Sequence, residues 1–153
     1  MSYSIDLNIL LYASNSDSIH HKKAAGFLKK CVHDPEILIL ACPTVFGYLR
    51  ISTHSGIFPR PLDPEVAMEN VRQLIERPQV RLISEGEEFF EIYSEIADSL
   101  PVRGNLVPDA HLAALLKAHG VKTLYTNDTD FLKFGFLNVR NPLVNPGPPG
   151  SDL

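Results

Sequence analysis

Hydrophobic and polar positions follow two alternating patterns along the chain. Short apolar runs predict five β-strands, at residues 3–5, 36–41, 80–83, 123–125 and 137–140. Between these runs, apolar residues recur at helical spacing and predict helices after Asp6, at 20–32, 44–51, 63–76 and 87–100, and after Pro108. Strands that alternate with helices indicate right-handed crossovers. The pattern therefore predicts an α/β fold in which a parallel sheet lies between two layers of helices, α/β/α.

The helix after Pro108 has the strongest hydrophobic pattern in the chain. It leaves almost no polar face, because its apolar residues are Ala110, Leu112, Ala113, Ala114, Leu115, Leu116 and Ala118. We therefore expect this helix to be buried nearly all round. Pro108 suits a first helical position, since its fixed φ and missing N–H cost nothing there. Asp109 is thereby placed in the first turn, with its carboxylate anchored on a core helix.

The composition fits one domain. The chain has 153 residues, of which 44% are hydrophobic and 21% charged, and that is enough for a core without disulfides or structural metals. We expect the domain to span residues 1–143 and a flexible C-terminal tail, with too few apolar residues to repay ordering, to span 144–153. The net charge of −4 argues against binding to nucleic acid through the overall field, but leaves a local basic groove open.

Cysteine usage and hydropathy bear on the compartment. Cys31 and Cys42 form no CxxC motif, which favours a reducing environment and argues against a zinc-thiolate site. No apolar stretch is long enough to span a bilayer, and the first apolar run is too short for the core of a signal peptide. These features predict a soluble cytoplasmic protein with no membrane partner.

Acidic residues occur where the predicted strands end. Asp6 follows the first strand directly, and Asp128 and Asp130 follow the fourth. Asp109 begins the helix that leads back toward that fourth strand. Because ligands bind outside the carboxyl ends of parallel strands, these four carboxylates can converge on one edge of the sheet. The alternative is a set of independent helix-cap and turn residues, and Asp6 on its own fits a helix cap equally well.

Carboxylates that are forced together need a cation. They repel one another and raise one another's pKa unless a positive charge neutralises them. Mg²⁺ or Mn²⁺ is the expected ion, since hard oxygen ligands suit both. A divalent ion held by carboxylates can activate water and bind a phosphodiester. The acidic residues therefore favour phosphoryl chemistry.

Four segments resemble PIN-domain ribonucleases of the VapC toxin type. They are residues 6–13 (DLNILLYA), 48–53 (YLRIST), 104–112 (GNLVPDAHL) and 126–131 (TNDTDF), and the resemblance covers about residues 3–143. It implies a cytoplasmic prokaryotic endoribonuclease that uses Mg²⁺ or Mn²⁺ to cleave RNA. It also implies a cognate antitoxin protein that holds the toxin inactive, and a chain that is commonly a homodimer.

The resemblance also assigns roles to residues. By motif match, Asp6, Asp109 and Asp128 are implied to be catalytic and to bind the metal, and Asp130 is an adjacent candidate ligand. Possible supporting residues are Asn8, which could brace Asp6, and Arg50, Arg103 and Thr126. The two arginines could contact phosphate, or could be solvated or paired within the protein.

One position departs from the family pattern. The residue before the Tyr-Leu-Arg run is usually a glutamate and is the second acidic member of the site, but this chain has Gly47 there. A glycine inside a helix costs about 1 kcal/mol relative to alanine, so we expect a neighbour to need the space. Water could replace the missing carboxylate at the cost of weaker metal affinity.

Two other functions compete with a nuclease. The first is a catalytically silent PIN-like domain that binds RNA or a protein, suggested by Gly47. The second is a phosphatase of the haloacid dehalogenase type with Asp6 as its nucleophile. That family expects a second aspartate two residues later, where this chain has Asn8.

Overall fold

The sheet confirms the predicted α/β architecture. The computed structural model describes residues 1–144. Its five parallel strands lie in the order β3-β2-β1-β4-β5. The strands are β1 (Ser2–Ile5), β2 (Ile37–Ala41), β3 (Val80–Ile83), β4 (Thr123–Tyr125) and β5 (Asn138–Arg140). Residues 145–153, which make up nearly all of the predicted flexible tail, lie outside the described part of the chain.

The helices connect the strands as the pattern predicts. They are α1 (Leu7–Ser14), α2 (His21–His33), α3 (Cys42–Ser52), α4 (Pro64–Ile75), α5 (Phe89–Ser99) and α6 (Leu106–Ala118). A 3₁₀ helix, Thr129–Lys133, follows β4. Within residues 1–144, no helix is long and apolar enough to cross a membrane.

Two hydrophobic clusters cover the two faces of the sheet. In β2, Leu38 and Leu40 face the cluster that α1 to α4 form, whereas Ile39 and Ala41 face the cluster that α5 and α6 form. This alternation is the period of two that a strand imposes on its side chains. Both faces are therefore covered, and the three-layer α/β/α arrangement is confirmed.

Two predictions of burial were wrong at the periphery. We expected β3 to be buried, but Arg81 and Leu82 are exposed because β3 is the edge strand of the sheet. The helical spacing of apolar residues in 87–100 also predicts a core position for Phe90, but Phe90 is 75% exposed on α5. Its neighbour Phe89 packs toward the core, and adjacent helical residues point about 100° apart.

Helix α6 is the central element of the second cluster. Its residues from Ala110 to Leu116 are buried, apart from the half-buried His111. The helix begins at Leu106, so Pro108 occupies the third helical position rather than the first that we expected. The proline is still tolerated, because the first four N–H groups of a helix have no partner within it. Asp109 lies in the first turn as predicted.

Candidate metal centre

The central strands bring the first site residues together. β1 and β4 are adjacent and parallel, with Ile5 opposite Tyr125. The Asp6 amide donates to the Tyr125 carbonyl at 2.9 Å, which continues the pairing one residue beyond the strand. Asp6 and Thr126 therefore leave the sheet side by side, although 120 positions separate them in the sequence.

The Thr126 hydroxyl organises this edge of the sheet. It is 2% exposed and donates to Asp6 Oδ2 at 2.7 Å. Thr126 Oγ1 also accepts from the backbone N–H of Asp128 at 3.0 Å and from Asn8 Nδ2 at 3.5 Å. One buried threonine thus fixes the Asp6 carboxylate and the loop that carries Asp128. Asn8, which we expected to contact Asp6, donates to Thr126 instead.

Three carboxylates form a compact group. Asp109, Asp128 and Asp130 each offer a carboxylate oxygen, and these oxygens lie within 4.8 Å of one another. Asp109 comes from the first turn of α6 and the other two from the start of the 3₁₀ helix. The Asp130 N–H donates to Asp128 Oδ1 at 2.9 Å, which fixes the relation between that pair.

Asp6 lies beside this group rather than within it. Its Oδ1 accepts from the Leu7 N–H at 2.7 Å, so it also caps α1, as the alternative interpretation expected. Its charge nevertheless acts on Asp109 and interacts with that of Asp128. The structure therefore gathers all four predicted aspartates at one edge of the sheet, with three of them close enough to share one ion.

The group carries more negative charge than the neighbouring Lys133 can neutralise. Burial, together with the charges of Asp128, Asp6 and Asp130, raises the pKa of Asp109 to about 7. Burial also raises the pKa of Asp6, and the hydrogen bonds from Thr126 and Leu7 oppose that rise. Such shifts indicate that a cation at this position would be bound favourably.

The donor set fits a hard divalent cation. All three grouped ligand atoms are carboxylate oxygens, and their spacing allows one ion to contact them together. Oxygen ligands of this kind suit Mg²⁺ and Mn²⁺ and are a poor match for metals that prefer sulfur. The residues at this edge of the sheet therefore fit a magnesium or manganese centre.

The Leu7 side chain packs against Gly47. A Cβ at Gly47 would lie 2.8 Å from Leu7 Cδ2, closer than real Cβ contacts. Leu7 directly follows Asp6, so the backbone of α3 closes on the residue beside the site. The expected need for space is thus met by the Leu7 side chain.

The two predicted arginines are exposed and lie outside the carboxylate group. Arg103 is exposed in the loop before α6. Arg50 is exposed in the last turn of α3, beyond Gly47 and further from the edge where that helix begins. Sequence reasoning missed Lys133, whose Nζ lies 3.4 Å from Asp130 Oδ1. The signal available for it was the spacing of three residues between opposite charges on a helix.

The chain is similar in sequence to known proteins. A family model described as the PIN domain matches residues 3–137. The chain is 41% identical over 142 residues to ribonuclease VapC48 of Mycobacterium tuberculosis, a match that covers 93% of this chain and 98% of the relative. It is 30% identical to a VapC ribonuclease of Mycobacterium bovis, with coverage of 91% and 94%.

Solved structures share the fold. The VapBC2 structure of Rickettsia felis, bound to a fragment of promoter DNA, aligns with a TM-score of 0.66 at 19% identity, covering 92% of this chain and 98% of its own. VapC20 of Mycobacterium tuberculosis, described as a toxin that cleaves the sarcin–ricin loop, aligns with a TM-score of 0.66 at 16% identity, with coverage of 90% and 98%.

The raised pKa of Asp109 predicts a pH-dependent stability difference. A carboxyl group whose pKa is higher in the folded protein binds more protons there than in the unfolded chain between about pH 4 and 7. Its contribution to the free energy of unfolding is therefore present below that window and is lost as the pH rises through it. Asp109→Asn removes this loss, so in EDTA the variant should gain stability relative to wild type as the pH rises from about 4 to 7.

Urea unfolding at a series of pH values would measure this difference. Asp98→Asn, which changes an exposed aspartate of α5, is the matched control and should track wild type. A difference between Asp109→Asn and wild type that stays constant across the window would contradict the assigned electrostatics.

Proposed function

The chain belongs to the PIN domain family, and we propose from that premise that it is a Mg²⁺- or Mn²⁺-dependent endoribonuclease, the toxin of a toxin–antitoxin pair. The observation that carries the proposal is the group formed by Asp109, Asp128 and Asp130, whose ligand oxygens lie within 4.8 Å of one another. The names of its relatives, which are VapC ribonucleases, support RNA as the substrate.

In this proposal the chain holds the ion and orients it. Asp109, Asp128 and Asp130 would be the direct ligands, and Asp6 would add a fourth carboxylate beside them. When bound, a divalent ion lowers the pKa of a coordinated water and neutralises charge on a phosphodiester. Thr126 keeps Asp6 in position through its 2.7 Å hydrogen bond. Asp109, with a pKa of about 7, would release its proton as the ion binds.

In this proposal, Gly47 lowers the affinity of the site for the metal but does not prevent metal binding. The three grouped carboxylates remain in place without a side chain at position 47. Mg²⁺ keeps several water ligands in proteins, so water can occupy a position that a glutamate would otherwise fill. The expected consequence is weaker metal affinity than a site with a further carboxylate would have.

Loss of Asp109 should abolish cleavage. Asp109→Asn keeps the size of the side chain but removes a charged ligand, and we expect RNA cleavage to fall by about 100-fold or more, since even residues that only orient metal ligands contribute about 10- to 100-fold. The assay is cleavage of single-stranded RNA with Mn²⁺, with EDTA as the metal-free arm. Asp98→Asn should cleave at the wild-type rate. Equal activity in wild type and Asp109→Asn would contradict the role of Asp109 as a metal ligand.

A glutamate at position 47 separates an active site from a silent one. Gly47→Glu adds a carboxylate beside Leu7, and Gly47→Ala adds the same Cβ contact without charge. If the wild type is an active nuclease, Gly47→Glu should bind Mn²⁺ more tightly than Gly47→Ala in a calorimetric titration. A wild type that does not cleave, with cleavage gained only in Gly47→Glu, would favour the silent binding domain instead.

We also propose a cognate antitoxin as the protein partner, and an apolar groove as its binding surface. Toxin–antitoxin complexes among the solved structures that share this fold support the partner. The groove encloses about 400 Å³ between α1, α2, α3 and α4, and Leu28, Val45 and Leu74 line it. Lys29 and Arg77 on its lining suit a partner with acidic side chains. The homodimer implied by the resemblance stays a prediction.

A charge placed in this groove should release the antitoxin. Ala25 lines the groove on α2 and is half-buried, whereas Lys22 is exposed on the same helix. Co-expression with the cognate antitoxin, sought as the product of a small reading frame beside the gene of this chain, should yield a complex that no longer cleaves RNA. Ala25→Arg should lose the complex and keep Mn²⁺-dependent cleavage, and Lys22→Ala should keep both. An Ala25→Arg protein that still binds the antitoxin would exclude the groove as its surface.

A further inference from the structure

Lys133 places a positive charge at the metal centre. It is the last residue of the 3₁₀ helix, and its Nζ lies 3.4 Å from Asp130 Oδ1. Both side chains are about half exposed, at 51% and 52%, so the ammonium group can move. Its charge also opposes the rise in the pKa of Asp109 that burial and the other carboxylates cause, so it acts on the group beyond Asp130.

This ion pair differs from three others on the surface in the position of its acidic partner. Three other pairs join Arg60 to Asp17, Arg72 to Glu69, and His111 to Glu85. None of those involves the grouped carboxylates. Of these four pairs, the one that Lys133 makes is the pair whose acidic partner also belongs to the proposed metal site.

We propose that Lys133 is a phosphate-binding residue for RNA, held by Asp130 in the metal-free protein and released when a divalent ion occupies the carboxylates. This inference rests on the proposed function. The ion carries twice the charge of the lysine, so a bound ion would neutralise the Asp130 carboxylate and weaken its attraction for Lys133. A freed ammonium group on its flexible stem then lies beside the site where the scissile phosphodiester must approach. Phosphate oxygens are the anions that lysine contacts in nucleic-acid complexes.

Metal binding and RNA binding are coupled through Lys133 in this proposal, whereas a simple surface ion pair would leave them independent. If metal binding frees Lys133, Mn²⁺ should raise RNA affinity partly through this residue. By linkage, the same coupling must be seen from either ligand. A lysine that merely pairs with Asp130 would affect RNA binding equally with and without the ion. The size of the coupling, rather than a loss of affinity alone, is therefore the diagnostic quantity.

The test compares Lys133→Met with Lys122→Met. Lys122 is an exposed lysine at the opposite end of β4, so its loss changes the net charge equally at a distance from the site. Stopped-flow fluorescence anisotropy with a short labelled single-stranded RNA, read before cleavage, gives the affinity in Mn²⁺ and in EDTA. The gain in affinity caused by Mn²⁺ should shrink about two- to fivefold in Lys133→Met, the range expected for an exposed ion pair. Lys122→Met and the charge-conserving Lys133→Arg should behave as wild type.

Two further measurements sharpen the result. Without RNA, Lys133→Met should bind Mn²⁺ about two- to fivefold more tightly by calorimetry, because the ion no longer competes with the lysine for Asp130. With Mn²⁺, the dependence of log affinity for RNA on log salt should become shallower by about 0.7, the value for one lost contact to a single strand.

The outcomes distinguish this inference from the function on which it rests. A wild type that shows no Mn²⁺-dependent cleavage overturns the proposed function and this inference with it. A wild type that cleaves, with Lys133→Met losing RNA affinity equally in Mn²⁺ and EDTA or matching Lys122→Met throughout, overturns the role of Lys133 alone.

Discussion

Repulsion among carboxylates at one edge of the sheet is the constraint on which this structure depends. Asp109, Asp128 and Asp130 would separate if their backbones were free to move, because like charges at such distances disfavour one another. Burial and this repulsion together raise the pKa of Asp109 to about 7. A fold can sustain such a group only where the supporting elements are rigid. The repulsion is also what makes the edge suited to a cation.

Rigidity comes from the two layers that meet at this edge. Asp109 is carried by α6, whose residues from Ala110 to Leu116 are almost entirely buried, so its first turn cannot shift without disturbing the second hydrophobic cluster. Asp6 and Asp128 are tied to each other through the buried hydroxyl of Thr126. A packed core and a satisfied hydrogen-bond network thus oppose the electrostatic repulsion.

The missing carboxylate at position 47 is a matter of packing as well as of charge. Leu7 fills the space that a side chain there would need, and it does so one residue from Asp6. Gly47 thus provides no metal ligand, but it allows close contact between α1 and α3. Lys133 further reduces the net negative charge of the site, which already has one acidic residue fewer than the family pattern. Metal affinity and RNA binding would then be set by few charges.

The sequence by itself determined the elements, their order, the layered α/β/α class and the four aspartates that gather at the carboxyl edge. Those features follow from periodicity and from the rule that parallel strands end together, both of which are written locally along the chain. Only the tertiary structure decided that Asp6 stands beside the group rather than within it, that Thr126 joins the two central strands, and that Leu82 and Phe90 face solvent. It alone placed Lys133 beside Asp130 and Leu7 against Gly47. The physical reason is that a side chain's contacts depend on which strand lies at an edge and how closely helices approach, and residues distant in sequence set both.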